Sequence, residues 1–236
     1  MFEILKGKQG NCILDDNDCL KINKYKKNML IDYDEIIRVC CDLTFTGVLH
    51  IGAHECEEIQ FYDILKVPAD KCIWIDAIKD KVDEATARGI PNVYHAVITD
   101  QDDQEVTFHL ASNVQSSSVL EFGTHSQEHP HITYLESIKQ KTLTIDTFFE
   151  KQKIDPSYYT FWNFDIQGAE LMALKGASNA IRYAKALYLE VNEKELYKGC
   201  ALLPELDSYL LTNGFQRVLT NMTCHGWGDA LYLRKV

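Results

Sequence analysis

Three carboxylates stand where apolar runs stop. Asp76 follows Cys72-Ile-Trp-Ile75, Asp165 follows Trp162-Asn-Phe164, and Glu190 closes Ala186-Leu-Tyr-Leu189. A carboxylate at the end of a buried strand is costly unless it is hydrogen-bonded or meets a charge, so each is a candidate for ligand contact. Asp165 can anchor an ammonium group, act as a general base or hold a metal, and Glu190 is the alternative base. Glu170 stands in the first turn of the next helix, where helix capping explains it better.

The fourth break is a glycine. Val48 to Ile51 is apolar, Gly52 follows, and Ala53 and His54 lead into Glu55, Glu57 and Glu58. A dinucleotide site wants three glycines and a helix start free to take a pyrophosphate. Here one glycine is followed by acids that would repel phosphate. A cationic ligand with an amino-acid end, such as the sulfonium S-adenosylmethionine, tolerates that charge; an ordinary strand-turn-helix with an acidic first turn is the alternative. Asp76, ending the next strand, is placed to hydrogen-bond a ribose diol, with a helix-capping acid as the competing reading. Ala96 and Val97, ending the third strand, would then lie beside an adenine.

Other polar residues gather on one long stretch. Ala111 to Pro130 carries Ser116, Ser117, Ser118 and His125, and loops of that length inside a compact domain tend to be lids or binding loops. His225 and Trp227, in the glycine-flanked loop before the last strand, are further candidates for acceptor contacts. The eight histidines show no H-E-x-x-H or related spacing, which argues against zinc, and no G-x-S-x-G or cysteine-nucleophile signature occurs.

The elements that must position these residues alternate as a parallel sheet requires. The pattern predicts strands over 48–51, 72–76, 93–98, 158–166 and 186–191, with helices over 56–65, 79–88, 168–177 and 204–212. An added strand is expected at 105–110, a short strand and helix at 141–146 and 147–151, and a terminal antiparallel pair at 215–219 and 230–234. Residues 1–45 look different: a glycine-broken segment over 2–14, a polar turn at 15–18, a basic stretch at 21–27 and helical spacing over 34–43. They are read as an N-terminal extension packed on a domain of residues 46–236.

Composition narrows the partners. The 236 residues are 46% hydrophobic and 25% charged, near the globular average, and suit one α/β domain. A formal charge of −11 argues against nucleic acid, whose binding draws on neutralised phosphates. No apolar run approaches the roughly 20 residues of a membrane span, and the N-terminus lacks a signal-peptide core. A soluble, cytoplasmic protein is expected, with its eight cysteines reduced because no C-x-x-C occurs. Oligomeric state is not legible.

With the glycine turn, Asp76 and Asn163-Phe-Asp-Ile-Gln-Gly-Ala-Glu-Leu-Met-Ala-Leu-Lys-Gly176 in view, the chain resembles the FkbM family of S-adenosylmethionine-dependent methyltransferases. Asp165-Ile-Gln-Gly-Ala-Glu-Leu171 with Leu174-Lys-Gly-Ala177 is similar to that family's D-x-x-G-A-E-x-x-x-L-K-G-A signature, and Thr144-Ile-Asp146 fits too. The resemblance implies a class I (Rossmann-like) doubly wound, mostly parallel seven-stranded sheet with an antiparallel last strand. It also implies S-adenosylmethionine as cofactor at Gly52, Ala53, His54, Glu55, Glu57, Asp76, Ala77, Ala96, Val97, Asp165 and Gln167. O-methyl transfer to a small acceptor, a sugar or glycan, is expected, and some sugar methyltransferases of this fold use magnesium. Two departures stand out: the family usually has an acid where His50 stands and often a second glycine where Cys56 stands. The first loses a polar contact that Glu55 or Glu57 would have to replace, and the second implies a wider turn. Rival readings are a nicotinamide-dependent sugar-modifying enzyme and an inactive binding module of the same fold.

Overall fold

The computed structural model describes residues 29–235; the expectations for residues 2–14, 15–18 and 21–27 lie outside them. The frame is a seven-stranded sheet in the order β3-β2-β1-β7-β8-β10-β9. Its strands are β1 (Val48–Ile51), β2 (Cys72–Asp76), β3 (Val93–His95), β7 (Phe161–Phe164), β8 (Ala186–Asn192), β9 (Phe215–Met222) and β10 (Trp227–Arg234). Neighbours from β3 to β8 pair in parallel, and β10 runs antiparallel to both β8 and β9. The doubly wound architecture expected above is therefore present, including its reversed last strand.

Strand alternation sorts the core onto two faces. Leu49, Ile51, Trp162, Phe164, Leu187 and Leu189 pack on one side with the helices Ile145–Gln152, Glu170–Lys175 and Leu203–Thr212. Val48, Trp74, Phe161 and Tyr188 pack on the other with helix Ile59–Ile64. Residues 29–45, including helix Tyr33–Val39, complete that second face through Met29, Ile31, Tyr33, Ile36, Cys40 and Phe45.

Several boundaries differ from the sequence expectations. The helix expected from Cys56 starts only at Ile59, because His54 (φ 42°) and Cys56 (φ 57°) occupy left-handed backbone that no right-handed helix can include. The third strand splits at Ala96: β3 stays in the large sheet, while β4 (Val97–Ile98) pairs with a separate ribbon. That ribbon joins β5 (Glu105–Ala111) to β6 (Tyr134–Leu143), which is far longer than the strand expected at 141–146. Most of β6 is solvent-exposed, so its residues carry no burial pattern for a sequence to show. Thr144 then caps the following helix, its hydroxyl accepting the Thr147 N–H at 3.1 Å, which moves the helix start ahead of Thr147. The helix expected over 168–177 is trimmed to Glu170–Lys175, since Gly168 (φ 93°) turns the chain sharply just before it. The closing hairpin is tighter than expected, with β9 and β10 extending to Met222 and back from Trp227.

Candidate functional site

The carboxyl ends of β1, β2, β7, β8 and the facing start of β10 open into one cavity of about 780 Å³. That volume is typical of small-molecule sites, which span about 300–1,000 Å³. The 22 residues between β5 and β6 roof it with two segments, Asn113–Ser117 and the region of His125, His129 and His131.

Gly52 sets the turn at the cavity's centre. Its φ is 86°, and a Cβ there would sit 1.8 Å from the Asp165 carbonyl oxygen, so only glycine lets β1 and β7 end so close together. Past it the chain turns back: the His54 N–H donates to Asp76 Oδ2 and the Ile78 N–H to Oδ1, both at 2.7 Å. Each Asp76 oxygen thus keeps acceptor capacity for a further donor, the arrangement a ribose diol requires. Burial raises the Asp76 pKa while the backbone N–H groups from Ile78 and His54 oppose the rise. Ala77, Ala96, Val97 and Ile98 line the adjoining wall with apolar surface.

The two departures in this turn have structural answers. Cys56 keeps the left-handed backbone that glycine would take and buries its thiol, so the turn is not widened. His50, 2% exposed, accepts from or donates to the Tyr62 hydroxyl at 2.8 Å, and that hydroxyl also accepts from Asn163 Nδ2 at 2.8 Å. Burial pushes the His50 pKa down to about 3, leaving the ring neutral. The acid nearest His50 is Glu58, with Oε2 at 3.8 Å from Nδ1, and burial lifts its pKa to about 8. Glu55 and Glu57 are engaged elsewhere: Glu55 pairs with Lys81 at 3.1 Å, and Glu57 with His54 Nδ1 at 2.8 Å. Glu58, rather than Glu55 or Glu57, is thus the acid that stands beside His50.

Asp165 and Glu190 are joined by one side chain. Gln167 Nε2 donates to Asp165 Oδ1 at 2.6 Å and to Glu190 Oε2, one hydrogen to each carboxylate, while its Oε1 accepts from the Tyr197 hydroxyl at 2.6 Å. Gln167 holds this position with a left-handed backbone, φ 56°. Burial first, and then the charges of Asp165 and Glu170, push the Glu190 pKa well above the ordinary carboxylate range. Glu170 is a structural acid: its Oε1 accepts the Ile166 N–H at 2.9 Å and the Gly168 N–H at 3.3 Å, which fixes the loop that presents Gln167.

Of the residues singled out in the sequence, Gly52, His54, Glu55, Glu57, Asp76, Ala77, Ala96, Val97, Asp165, Gln167 and Glu190 line the cavity, as do Ser116, Ser117, His125 and Trp227. Ala53, Ser118 and His225 do not. Ala53 is buried beneath the turn, and the Ser118 hydroxyl is spent on the Gln167 carbonyl at 2.9 Å and the Leu120 N–H at 3.1 Å. His225 meets Glu128 at 3.0 Å outside the cavity. The Ser117 hydroxyl, although at the cavity wall, accepts the Ala111 N–H at 3.0 Å and so anchors the roof. Sequence reasoning missed Asn163, Tyr188 and Asp229 and named Glu58 only among the acids that would repel phosphate; all four line the cavity. Asn163 and Tyr188 were visible as polar breaks in apolar strands. Asp229 carried no such signal, because only its pairing opposite Glu190 brings it to the site.

Among the described residues no three His, Cys, Asp or Glu side chains gather as a metal site. Gln167 occupies the side on which Asp165 and Glu190 approach each other, so this donor set does not fit magnesium. The six cysteines described are free thiols, and no described helix is long and apolar enough to cross a membrane.

Comparison with curated proteins gives no match. Among solved structures, the magnesium protoporphyrin IX methyltransferase of Synechocystis with bound S-adenosylmethionine is similar at 12% identity, covering 86% of this chain and 78% of its own, with a TM-score of 0.44. A protein of the NADB-Rossmann superfamily from Streptococcus agalactiae matches at 13% identity over 94% and 69%, TM-score 0.43. A SAM-dependent methyltransferase from Aquifex aeolicus matches at 14% over 94% and 95%, TM-score 0.38. Scores this low carry no argument about activity. The family model does: the methyltransferase FkbM domain matches residues 46–217, a span that runs from the strand before the Gly52 turn through the Asp165 loop to β9. The chain belongs to the FkbM methyltransferase domain family.

Proposed function

We propose that this protein transfers a methyl group from S-adenosylmethionine to a hydroxyl of a small acceptor, a sugar or glycan. The observation that carries the reading is the Asp165–Gln167–Glu190 unit standing beside the Gly52 turn and Asp76 in one cavity. Bound there, S-adenosylmethionine supplies an electrophilic methyl carbon whose bond to sulfur breaks as the acceptor oxygen's lone pair forms the new C–O bond. The chain's own task is alignment and proton removal. Asp76 offers an acceptor to each ribose hydroxyl, and the apolar wall from Ala77 to Ile98 suits an adenine. Asp165 offers a carboxylate to an ammonium group, and Glu58, lifted to about 8 by burial, offers a second carboxyl. Glu190 takes the hydroxyl proton once it has ionised, its raised pKa making that ionised form a stronger base than a free carboxylate. Gln167 holds Glu190 at a fixed angle to Asp165, and the roof excludes water. A pyrophosphate cofactor is disfavoured because the turn has a single glycine followed by acids and no described lysine or arginine lines the cavity.

Calorimetry with S-adenosylmethionine, S-adenosylhomocysteine and NAD tests the reading. Both sulfur compounds should bind and NAD should not; no affinity for either sulfur compound sinks it. Asp165→Ala should abolish transfer with the fold intact by circular dichroism, and full activity in that variant would remove Asp165 from the site.

A further inference from the structure

The cavity has two poles, and the sheet order separates them. Asp76 on β2 and the Gly52 turn after β1 lie at one end, Asp165 on β7 lies in the middle, and Glu190 on β8 and Asp229 on β10 lie at the other. If the adenosyl group sits at Asp76, the acceptor must enter at the far pole. Glu190 and Asp229 are directly opposed there across antiparallel strands, 5% and 8% exposed. Like charges facing each other in this way destabilise a sheet, and burial makes each harder to ionise. Asp229 is pushed up to about 6 by burial, and the Tyr188 hydroxyl and the Leu30 N–H, which both donate to its Oδ2, oppose that rise.

His54 answers Glu57 at 2.8 Å and Lys81 answers Glu55 at 3.1 Å, but among the described residues neither Glu190 nor Asp229 has an ion pair. Among the described residues seven carboxylates line the cavity, and neither lysine nor arginine does. The methyl donor brings a sulfonium and an ammonium against one carboxylate, so it offsets only a small part. A second feature of the same cavity points to a ligand. His125, 4% exposed, lines the cavity with Nδ1 holding no hydrogen bond, and burial, before the charges of His129 and His131, lowers its pKa to about 4, so it adds no cation. Trp227, two residues before Asp229 on β10, gives the cavity an aromatic face, a surface that attracts cations.

Building on the proposed methyl transfer, we infer that the acceptor is a hydroxyl compound bearing a protonated amine, as in an amino sugar, with its ammonium held against Asp229 and its hydroxyl presented to Glu190. Acceptors carrying phosphate or carboxylate, nucleotide-linked sugars and uronic acids among them, are disfavoured because they would bury an anion beside two acids with no described lysine or arginine in the cavity.

The test is calorimetry on the full chain saturated with S-adenosylhomocysteine, using glucosamine, glucose and glucuronic acid as a cationic, neutral and anionic series. Glucosamine should bind at least about tenfold tighter than glucose, the worth of one charge-assisted hydrogen bond, and glucuronic acid should not bind. Repeating the titration in two buffers of different ionisation enthalpy should show proton release as the ammonium displaces protons from the far pole. Asp229→Asn should bring the glucosamine-to-glucose ratio close to one while S-adenosylhomocysteine affinity is retained. Glucose binding as tightly as glucosamine, binding of glucuronic acid, or binding of none of the three overturns the inference. Failure to bind S-adenosylhomocysteine at all would instead overturn the proposed methyl transfer, so the two failures are distinguishable.

Discussion

Gln167 is the side chain on which the site's geometry turns. One amide reaches two carboxylates and a tyrosine hydroxyl, so removing it leaves Asp165 and Glu190 facing each other with no neutral group between them. Gln167→Leu should lower kcat roughly 10- to 100-fold, the cost of about 1.5–3 kcal/mol for hydrogen bonds to charged groups. S-adenosylhomocysteine affinity should change much less, and single-turnover kinetics separate the two. Asp76 belongs to the cofactor end. Asp76→Ala should weaken S-adenosylmethionine binding by about 10- to 100-fold on the same reasoning. A KM that rises while kcat is kept would mark it as a binding residue.

At the scale of elements, the Gly52–Glu58 turn decides where the acids point. Three of its residues, Gly52, His54 and Cys56, hold positive φ, which glycine adopts without cost but which strains His54 and Cys56. Cys56→Val should destabilise the protein by about 1–3 kcal/mol more than Cys56→Ala, because a β-branched side chain tolerates left-handed backbone worst. Equal melting temperatures for the two variants would show that the turn relaxes instead. The length of this turn also explains why Glu58, rather than Glu55 or Glu57, reaches His50. The helix begins only at Ile59, so Glu58 sits at its cap with its side chain directed inward.

The whole molecule carries an electrostatic cost that pH should reveal. Glu58 has a native pKa of about 8, above its unfolded value, so the native state binds the extra proton across the interval between them. Stability from that group is therefore present at low pH and lost as pH rises toward 8. Between pH 6.5 and 8.5 the ligand-free protein should lose on the order of 2 kcal/mol from Glu58 alone. Glu58→Gln should flatten the curve in denaturant titrations at the two pH values. His50 acts in the opposite sense: with a native pKa of about 3 it withholds a proton that the unfolded chain binds, so its contribution is lost as pH falls below its ordinary range.

The sequence by itself determined the alternating α/β frame, the glycine turn and the acids at strand ends. Each of these is a local signal: an apolar run of strand length, a residue type at its end, a backbone turn that only glycine tolerates. It also held the family signature around Asp165, which the match over residues 46–217 bears out. Tertiary structure alone decided which acids meet. Glu190 and Asp229 are separated by a helix and a strand along the chain, yet strand register sets them face to face. His50, Asn163 and Tyr188 form one row across β1, β7 and β8 for the same reason. The long exposed β6 and the roof it supports were illegible because partner strands, not burial, hold them in place. Periodicity records which side of an element faces the core. It contains nothing about which strand lies next to which, and the charge of this cavity is a property of neighbours.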